Sequence, residues 1–247
     1  MKYITLFETA TAFEAARATL DLPNVSLIEA TNGINYLPYV STPSHEYVEI
    51  GGVKWATMNI GANSITDYGL YFQWADTQGY TAEQVGNGEG QKHFEPNDYK
   101  YYDEQGGYTK YNENDGLITL LSEDDAVNAA WGGNWRMPTV SEFIALDEAV
   151  TTAWTADYQG SGVAGLICTD KTDNSKVLFF PACGNANDGS VGNVGYYGFY
   201  WSSSLDADYD DSNAYLLDFS DGGVYWDNNT YRYYGYPVRG ILDDSNS

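Results

Sequence analysis

Positive charge is what this sequence has least of: 11 lysines and arginines stand against 35 aspartates and glutamates, for a formal charge of −24. Such a surface repels phosphate backbones and anionic lipid headgroups, so no nucleic-acid or membrane-surface role is expected. Cysteine is as scarce, with only Cys168 and Cys183. Two cysteines make neither a disulfide framework nor a zinc site. Both fall in apolar, strand-like segments, so buried free thiols are expected, with one internal bridge as the alternative. Histidine occurs twice, His45 in a linker and His93 in a glycine-rich loop, and there is no Gly-x-Ser-x-Gly elbow. A hydrolase is therefore not expected. No run approaches the roughly 20 apolar residues of a membrane-spanning helix. The apolar stretch at Tyr3 to Phe7 stops at Glu8, too short for a signal peptide, so the chain is expected to be made in the cytoplasm without membrane insertion.

What the sequence does have is tyrosine: 23 of them, against 9 phenylalanines and 7 tryptophans. Tyrosine buries its ring and keeps a polar tip, so it serves a core or a wet interface. At 247 residues the chain can hold one ordinary domain and a small appendage. Residues 1–43 read as that appendage, a β-α-β-β pattern. It has a strand at Tyr3–Phe7, an alanine-rich helix over Thr11–Leu20, a strand at Val25–Glu29 and a turn at Asn32-Gly33, and Tyr39 to Ser44 reads as linker. From residue 44 onward short strands and glycines dominate, with two helices. One spans Ser122–Ala130, with Ser122 as N-cap. The other starts at Thr139, with Glu142 completing a capping box and Phe143, Ile144 and Leu146 facing inward. Gly165–Thr169 and Val177–Pro181 read as a hairpin.

Residues 185–235 differ in kind. Tyr, Asp, Gly, Asn and Ser fill 36 of the 51 positions, while Lys, Glu, Gln, Met and His are absent. Apolar anchors interrupt the polar stretches, and Tyr200, Trp201, Tyr215, Phe219 and Val238 read as core. Short anchored strands carrying polar loops suit a rigid scaffold that presents a binding surface. Tyrosine offers a large amphipathic contact with few torsions to freeze, and Ser and Asn adapt their hydrogen bonds. One expected contact loop holds Asp206, Asp208, Tyr209, Asp210, Asp211, Ser212 and Asn213. A second holds Ser220, Asp221, Tyr225, Asp227, Asn228, Asn229 and Tyr231. Asn193, Tyr196 and Tyr197, with Asn185 and Asn187, are expected to flank them. No cofactor is expected. Asp206 to Asp211 could chelate calcium, but the cluster lacks EF-hand spacing and a closing glutamate.

Several segments in a fixed order carry a family resemblance. They are Val53-Lys54-Trp55-Ala56-Thr57-Met58-Asn59-Ile60-Gly61-Ala62, Tyr68-Gly69-Leu70-Tyr71-Phe72-Gln73-Trp74-Ala75-Asp76-Thr77, and Trp135-Arg136-Met137-Pro138-Thr139 with Glu142-Phe143. Gly162-Val163-Ala164-Gly165 then leads to Phe179-Phe180-Pro181-Ala182. Tyr200-Trp201-Ser202-Ser203-Ser204, Ala214-Tyr215 and Tyr234-Gly235-Tyr236-Pro237-Val238-Arg239 complete the series. Over about residues 47–242 this resembles the Fibrobacter succinogenes major paralogous domain and is similar to the variable proteins that diversity-generating retroelements diversify in bacteria and phages.

The resemblance implies an α+β, C-type-lectin-like fold of short mixed sheets, two helices and long loops, whose first and last strands pair. It implies a non-enzymatic receptor-binding role at residues 44–247. Adenine-directed mutation there does not generate Lys, Glu, Gln or Met, in keeping with their absence from residues 185–235. The N-terminal unit resembles leader domains of tail or surface proteins of Bacteroides-type phages and prophages. The expected location is then a phage virion, or outside the cell after lysis. The expected partners are a host-cell surface protein or glycan, and other tail proteins through residues 1–43, with oligomeric state left open. A static virion component is the alternative. Formylglycine-generating enzymes share the fold, but Cys168 and Cys183 lie too early and lack basic neighbours. Glu95-Pro96-Asn97 and Trp226-Asp227-Asn228 imitate calcium-lectin strings out of register, so calcium-dependent sugar binding is not implied.

Overall fold

The computed structural model describes residues 45–209 and 211–243 in full, together with two strands nearer the amino terminus. Those strands, β1 (Val25–Glu29) and β2 (Tyr36–Val40), pair antiparallel from Val25↔Val40 to Glu29↔Tyr36. Tyr39 and Val40, expected in the linker, thus belong to a strand. The expected strand at Tyr3–Phe7 and helix at Thr11–Leu20 lie outside the described residues. By its contacts the chain divides into Met1–His45 and Glu46–Ser247.

The larger unit is α+β, made mostly of short antiparallel sheets. The first sheet has the order β3 (Tyr47–Ile50), β4 (Val53–Asn59), β14 (Arg239–Leu242), β5 (Trp135–Arg136). It joins the two ends of the unit, with Arg239↔Asn59 and Ile241↔Trp55 in register. Arg239 is fully buried. Its guanidinium donates to Asn59 Oδ1 (2.9 Å) and to the carbonyls of Ala56, Thr57 and Phe179.

Of the two α-helices among the described residues, α1 spans Ala126–Trp131 and α2 spans Val140–Ala149. The cap of α1 is Asp125 rather than the expected Ser122. Its Oδ1 accepts from the amides of Val127 and Asn128, and its Oδ2 from Met137. Helix α2 opens at Thr139 with the expected capping box to Glu142. Phe143 and Leu146 are buried, but Ile144 is exposed. It points out because Phe143 and Leu146, three residues apart, share one helix face, and Ile144 lies about 100° round from Phe143 on the side away from Leu146.

A second sheet, β6 (Val150–Thr155), β7 (Gly165–Asp170), β8 (Val177–Pro181), contains the expected hairpin as β7–β8. A third is β11 (Tyr197–Asp206), β12 (Asn213–Ser220), β13 (Gly223–Tyr231), with a small β9–β10 hairpin (Asn185–Asn187, Ser190–Gly192) before it. Successive residues of a strand point to opposite faces. One face of β11–β13 sends Tyr200, Leu217, Phe219 and Trp226 into a core shared with Phe143 and Leu146. The other face sends Trp201, Ala214 and Leu216 into a core with Trp74, Trp135, Tyr236 and Val238. Of the expected core residues, Tyr200, Trp201, Phe219 and Val238 are buried and Tyr215 is half-buried. Both cysteines are buried and free. No helix among the described residues is long and apolar enough to cross a membrane.

Candidate functional site

The strand register decides where the expected contact residues go. Tyr197↔Ser220 and Phe199↔Asp218↔Tyr225 lie on one face of the third sheet, and a bulge in β13 brings Asn228 opposite Leu216 on that face. Asp206↔Asn213↔Tyr231 and Tyr215↔Asn229 have the opposite parity. The two expected loops therefore do not make one continuous display face.

Asp206 and Asn213 are buried. Asp206 is taken up locally, its Oδ1 accepting from the Asp208 amide, and Asn213 donates to Asn229 Oδ1 (2.7 Å). As contact groups these two are corrected to supports of the β11–β12 turn. Asp208 and Tyr209 project from that turn, and Asp210 is outside the described residues. Asp221 and Asp227 are exposed and Ser220 half-buried. Among the described residues Tyr225 and Tyr196 are the most open aromatic side chains, at 63% and 72% exposure. Asn193 is tied to Asn185, and Asn185 to Asn187, beside the β9–β10 hairpin.

What does converge is a cavity of about 470 Å³ at the end of the sheet. Tyr231 and Tyr233 form one wall and Tyr102 and Tyr108 another. Pro96, Gly106, Gly107, Asp211 and Ser212 complete the lining. The Tyr231 and Tyr233 rings stack 5.3 Å apart at 12°, while Tyr102 and Tyr108 meet edge to face at 5.3 Å. Tyr102 and Tyr108 are brought together by a tight loop, bridged antiparallel at their backbones. Gly106 turns it at a φ of +85, a conformation side chains resist. Asp103 holds the loop by accepting from the amides of Gln105 and Gly107.

The floor of the cavity is held by Arg232, which is fully buried and packs against the lining residue Tyr108. Its guanidinium donates to Tyr99 Oη and to the carbonyls of Lys110, Tyr111 and Asp211. It sits 4.5 Å from the Tyr108 ring centre and 5.0 Å from that of Trp74. Tyr111 and Asp211, which both give carbonyls to it, adopt left-handed backbone conformations (φ 57 and 59). Such residues persist only where the surroundings fix them. Arg232 fixes both at once. Burial raises the Tyr108 phenol to about 12, with the Arg232 charge working against the shift. The phenol is therefore a donor at neutral pH, and it points to the Ser212 carbonyl at 3.4 Å.

A second support is Asp124. It accepts from Tyr101, Tyr111, Lys100 and Lys110, at 2.5 to 2.9 Å. Burial disfavours its charge, but these donors outweigh that and hold it well below the usual carboxylate range. A concavity of about 440 Å³ elsewhere is lined by Glu49, Lys54, Arg136, Glu142 and Asp243. There Arg136 is already paired with Glu142 and Asp243, so its strongest polar groups are engaged with one another.

Of the residues expected from sequence, Asp211, Ser212 and Tyr231 line the cavity; Tyr102, Tyr108, Tyr233 and Pro96 were missed. The signal was present: Tyr99, Tyr101, Tyr102, Tyr108 and Tyr111 crowd into 13 residues with Asp and Gly, the composition that singled out residues 185–235. Among the described residues no group of three or more His, Cys, Asp or Glu comes together to hold a metal ion.

A family model described as a domain of unknown function (DUF8237) matches residues 167–240. That span runs from β7 into β14 and includes one of the cavity's two walls. Neither the curated proteins nor the solved structures contain a match to the chain.

Proposed function

We propose that this chain is a non-enzymatic receptor-binding protein on a C-type-lectin-like framework, and that the tyrosine-walled cavity is the centre of its contact surface. One observation carries the reading. Residues 96, 102, 106–108, 211–212, 231 and 233, far apart in sequence, form a single concavity of ligand-binding size against which a buried arginine packs. Rigid tyrosines over a prearranged floor lose little entropy on contact. The lectin-like framework is supported by the β4–β14 pairing that closes the unit, by the two helices, and by long loops gathered at one end of β11–β13. A binding rather than catalytic role is supported at the thiols. Burial pushes Cys183 up to about 12 and raises Cys168 further, so neither is a thiolate at neutral pH. In this reading the cavity engages a host-cell surface component and residues 1–43 join the protein to a phage tail.

The test is capture of intact bacterial cells by labelled full-length protein, surveyed over a strain panel. Tyr102→Ala and Tyr231→Ala together should cut capture by about tenfold or more, as loss of central aromatic contacts does, with the melting temperature and circular dichroism kept. Undiminished capture by a folded double variant sinks the assignment of the cavity.

A further inference from the structure

We infer that the cavity takes an organic cation: the ammonium or guanidinium group of a basic partner, seated among the tyrosine rings beside Asp211. The inference rests on reading the cavity as the ligand site and names what that site recognises. Three observations carry it.

The walls are tyrosine faces, whose quadrupoles attract a cation within about 6 Å. The fold already uses this chemistry next door, where Arg232 is packed against Tyr108 and Trp74. Arg232 occupies one face of Tyr108, so the rings left to receive a second cation are Tyr102, Tyr231 and Tyr233.

Among the described residues the one formal charge in the lining is negative. Asp211 lines the cavity, and its carboxylate accepts the Glu113 amide at 2.9 Å. Among the described residues no lysine or arginine pairs with it. The cations nearby are committed elsewhere: Lys92 to Asp98, Lys100 and Lys110 to Asp124, and Arg232 to carbonyls and a phenol below the floor.

The whole molecule carries −24, so its long-range field draws positive groups in and turns anionic ones away. A neutral sugar would gain nothing from that field, and from the carboxylate only hydrogen bonds to its hydroxyls, without the charge attraction that a cation adds.

The test uses the full chain and three pairs of probes, followed by NMR of the tyrosine ring signals and by calorimetry. Tetramethylammonium is set against neutral tert-butanol, N-acetyl-arginine amide against its citrulline analogue, and N-acetyl-lysine amide against the norleucine analogue. Each cation should bind about tenfold more tightly than its neutral counterpart, the worth of a desolvated cation–π contact with a carboxylate beside it. Raising salt from about 50 to 500 mM should weaken the cations and leave the neutral probes unchanged.

Asp211→Asn keeps the left-handed backbone that asparagine tolerates and an oxygen for the Glu113 amide, so the fold is retained. Cation affinity should fall about fivefold in it. Preference for tetramethylammonium over the amino-acid amides assigns the source to a quaternary ammonium headgroup, and the reverse order to a basic protein segment. Equal binding of charged and neutral probes overturns the inference. So does binding of methyl glycosides without binding of cations, or a folded Asp211→Asn protein with unchanged cation affinity. Any of these, alongside capture that still depends on Tyr102 and Tyr231, removes the cation and leaves the cavity. Capture indifferent to those tyrosines removes the cavity itself.

Discussion

Arg239 and Arg232 lie seven residues apart and are both fully buried, and among the described residues neither pairs with a carboxylate, yet they organise opposite kinds of structure. Arg239 stands at the start of β14 and donates into β4 and β8, whose backbones are already fixed by ladder hydrogen bonds. Arg232 stands just beyond β13 and donates to Lys110, Tyr111 and Asp211, none of which belongs to a strand or helix. In the framework the charge is accommodated by regular structure. Under the cavity it substitutes for regular structure. A buried guanidinium with five donors can satisfy several carbonyls at once, which is what loops need when no neighbouring strand is there to do so.

That contrast is broken most forcefully by truncation. Arg239→Ala should destabilise the larger unit by about 4 kcal/mol, since the removed side chain leaves buried acceptors unmatched on β4 and β8 and a hole beside Phe180. Unfolding should stay a single transition in urea. Arg232→Ala should cost about 3 kcal/mol, because the freed loop carbonyls can turn to water. Its signature should be local: amide exchange speeds up at residues 99–115 and 211–213 before global unfolding. Equal, global exchange patterns for the two variants would show that the cavity floor is no separate element.

Asp124 sharpens the contrast through pH. Its carboxyl is depressed in the folded state, so the stability it contributes is fully present above its unfolded pKa, near 4, and is lost as pH falls toward the lower folded value. Two lysines and two phenols converge on it, so wild type should lose stability between about pH 4 and pH 2 that Asp124→Asn has already lost. At pH 7 the variant should be weaker by about 2 kcal/mol, a figure held down because Lys100 and Lys110 are partly solvated. The difference should close as the acid limit is approached. Parallel pH curves for the two proteins would mean that the carboxylate is not charged and bonded in the native state.

The same division separates what could be read in the sequence from what could not. Helix α2 was legible because its cap is local: Thr139 and Glu142 are three residues apart and satisfy each other. The β7–β8 hairpin was legible for a similar reason, two apolar runs around one polar turn. The start of α1 was misplaced because two candidate acceptors, Ser122 and Asp125, sit three apart. The decisive bond, donated by the Met137 amide to Asp125, comes from outside the helix. At the cavity the residue types were readable but their grouping was not. Tyr231 and Tyr225 look alike in sequence, and only the register with Asn213 and Asp218, reset by the β13 bulge, sends them to different places. Arg232 gave no local sign of its role, since its carbonyl partners lie 21, 121 and 122 positions away.

The smallest expected effect probes that pair of tyrosines. Tyr225 is 63% exposed near the start of edge strand β13, and Tyr231 is 46% exposed at its end, so exposure alone would rank Tyr225 as the better contact residue. Geometry ranks them the other way, because Tyr231 stacks on Tyr233 and closes a concavity, while Tyr225 stands over Asp218 on an open face. Energetically important contacts gather where water is excluded by surrounding groups. Tyr225→Ser should therefore change stability by less than about 0.5 kcal/mol and leave cell capture within about twofold of wild type. If Tyr225→Ser instead abolishes capture while Tyr231→Ser does not, the contact surface is the open sheet face, and binding passes from the cavity to Tyr225 with Tyr197, Ser220 and Asn228 beside it.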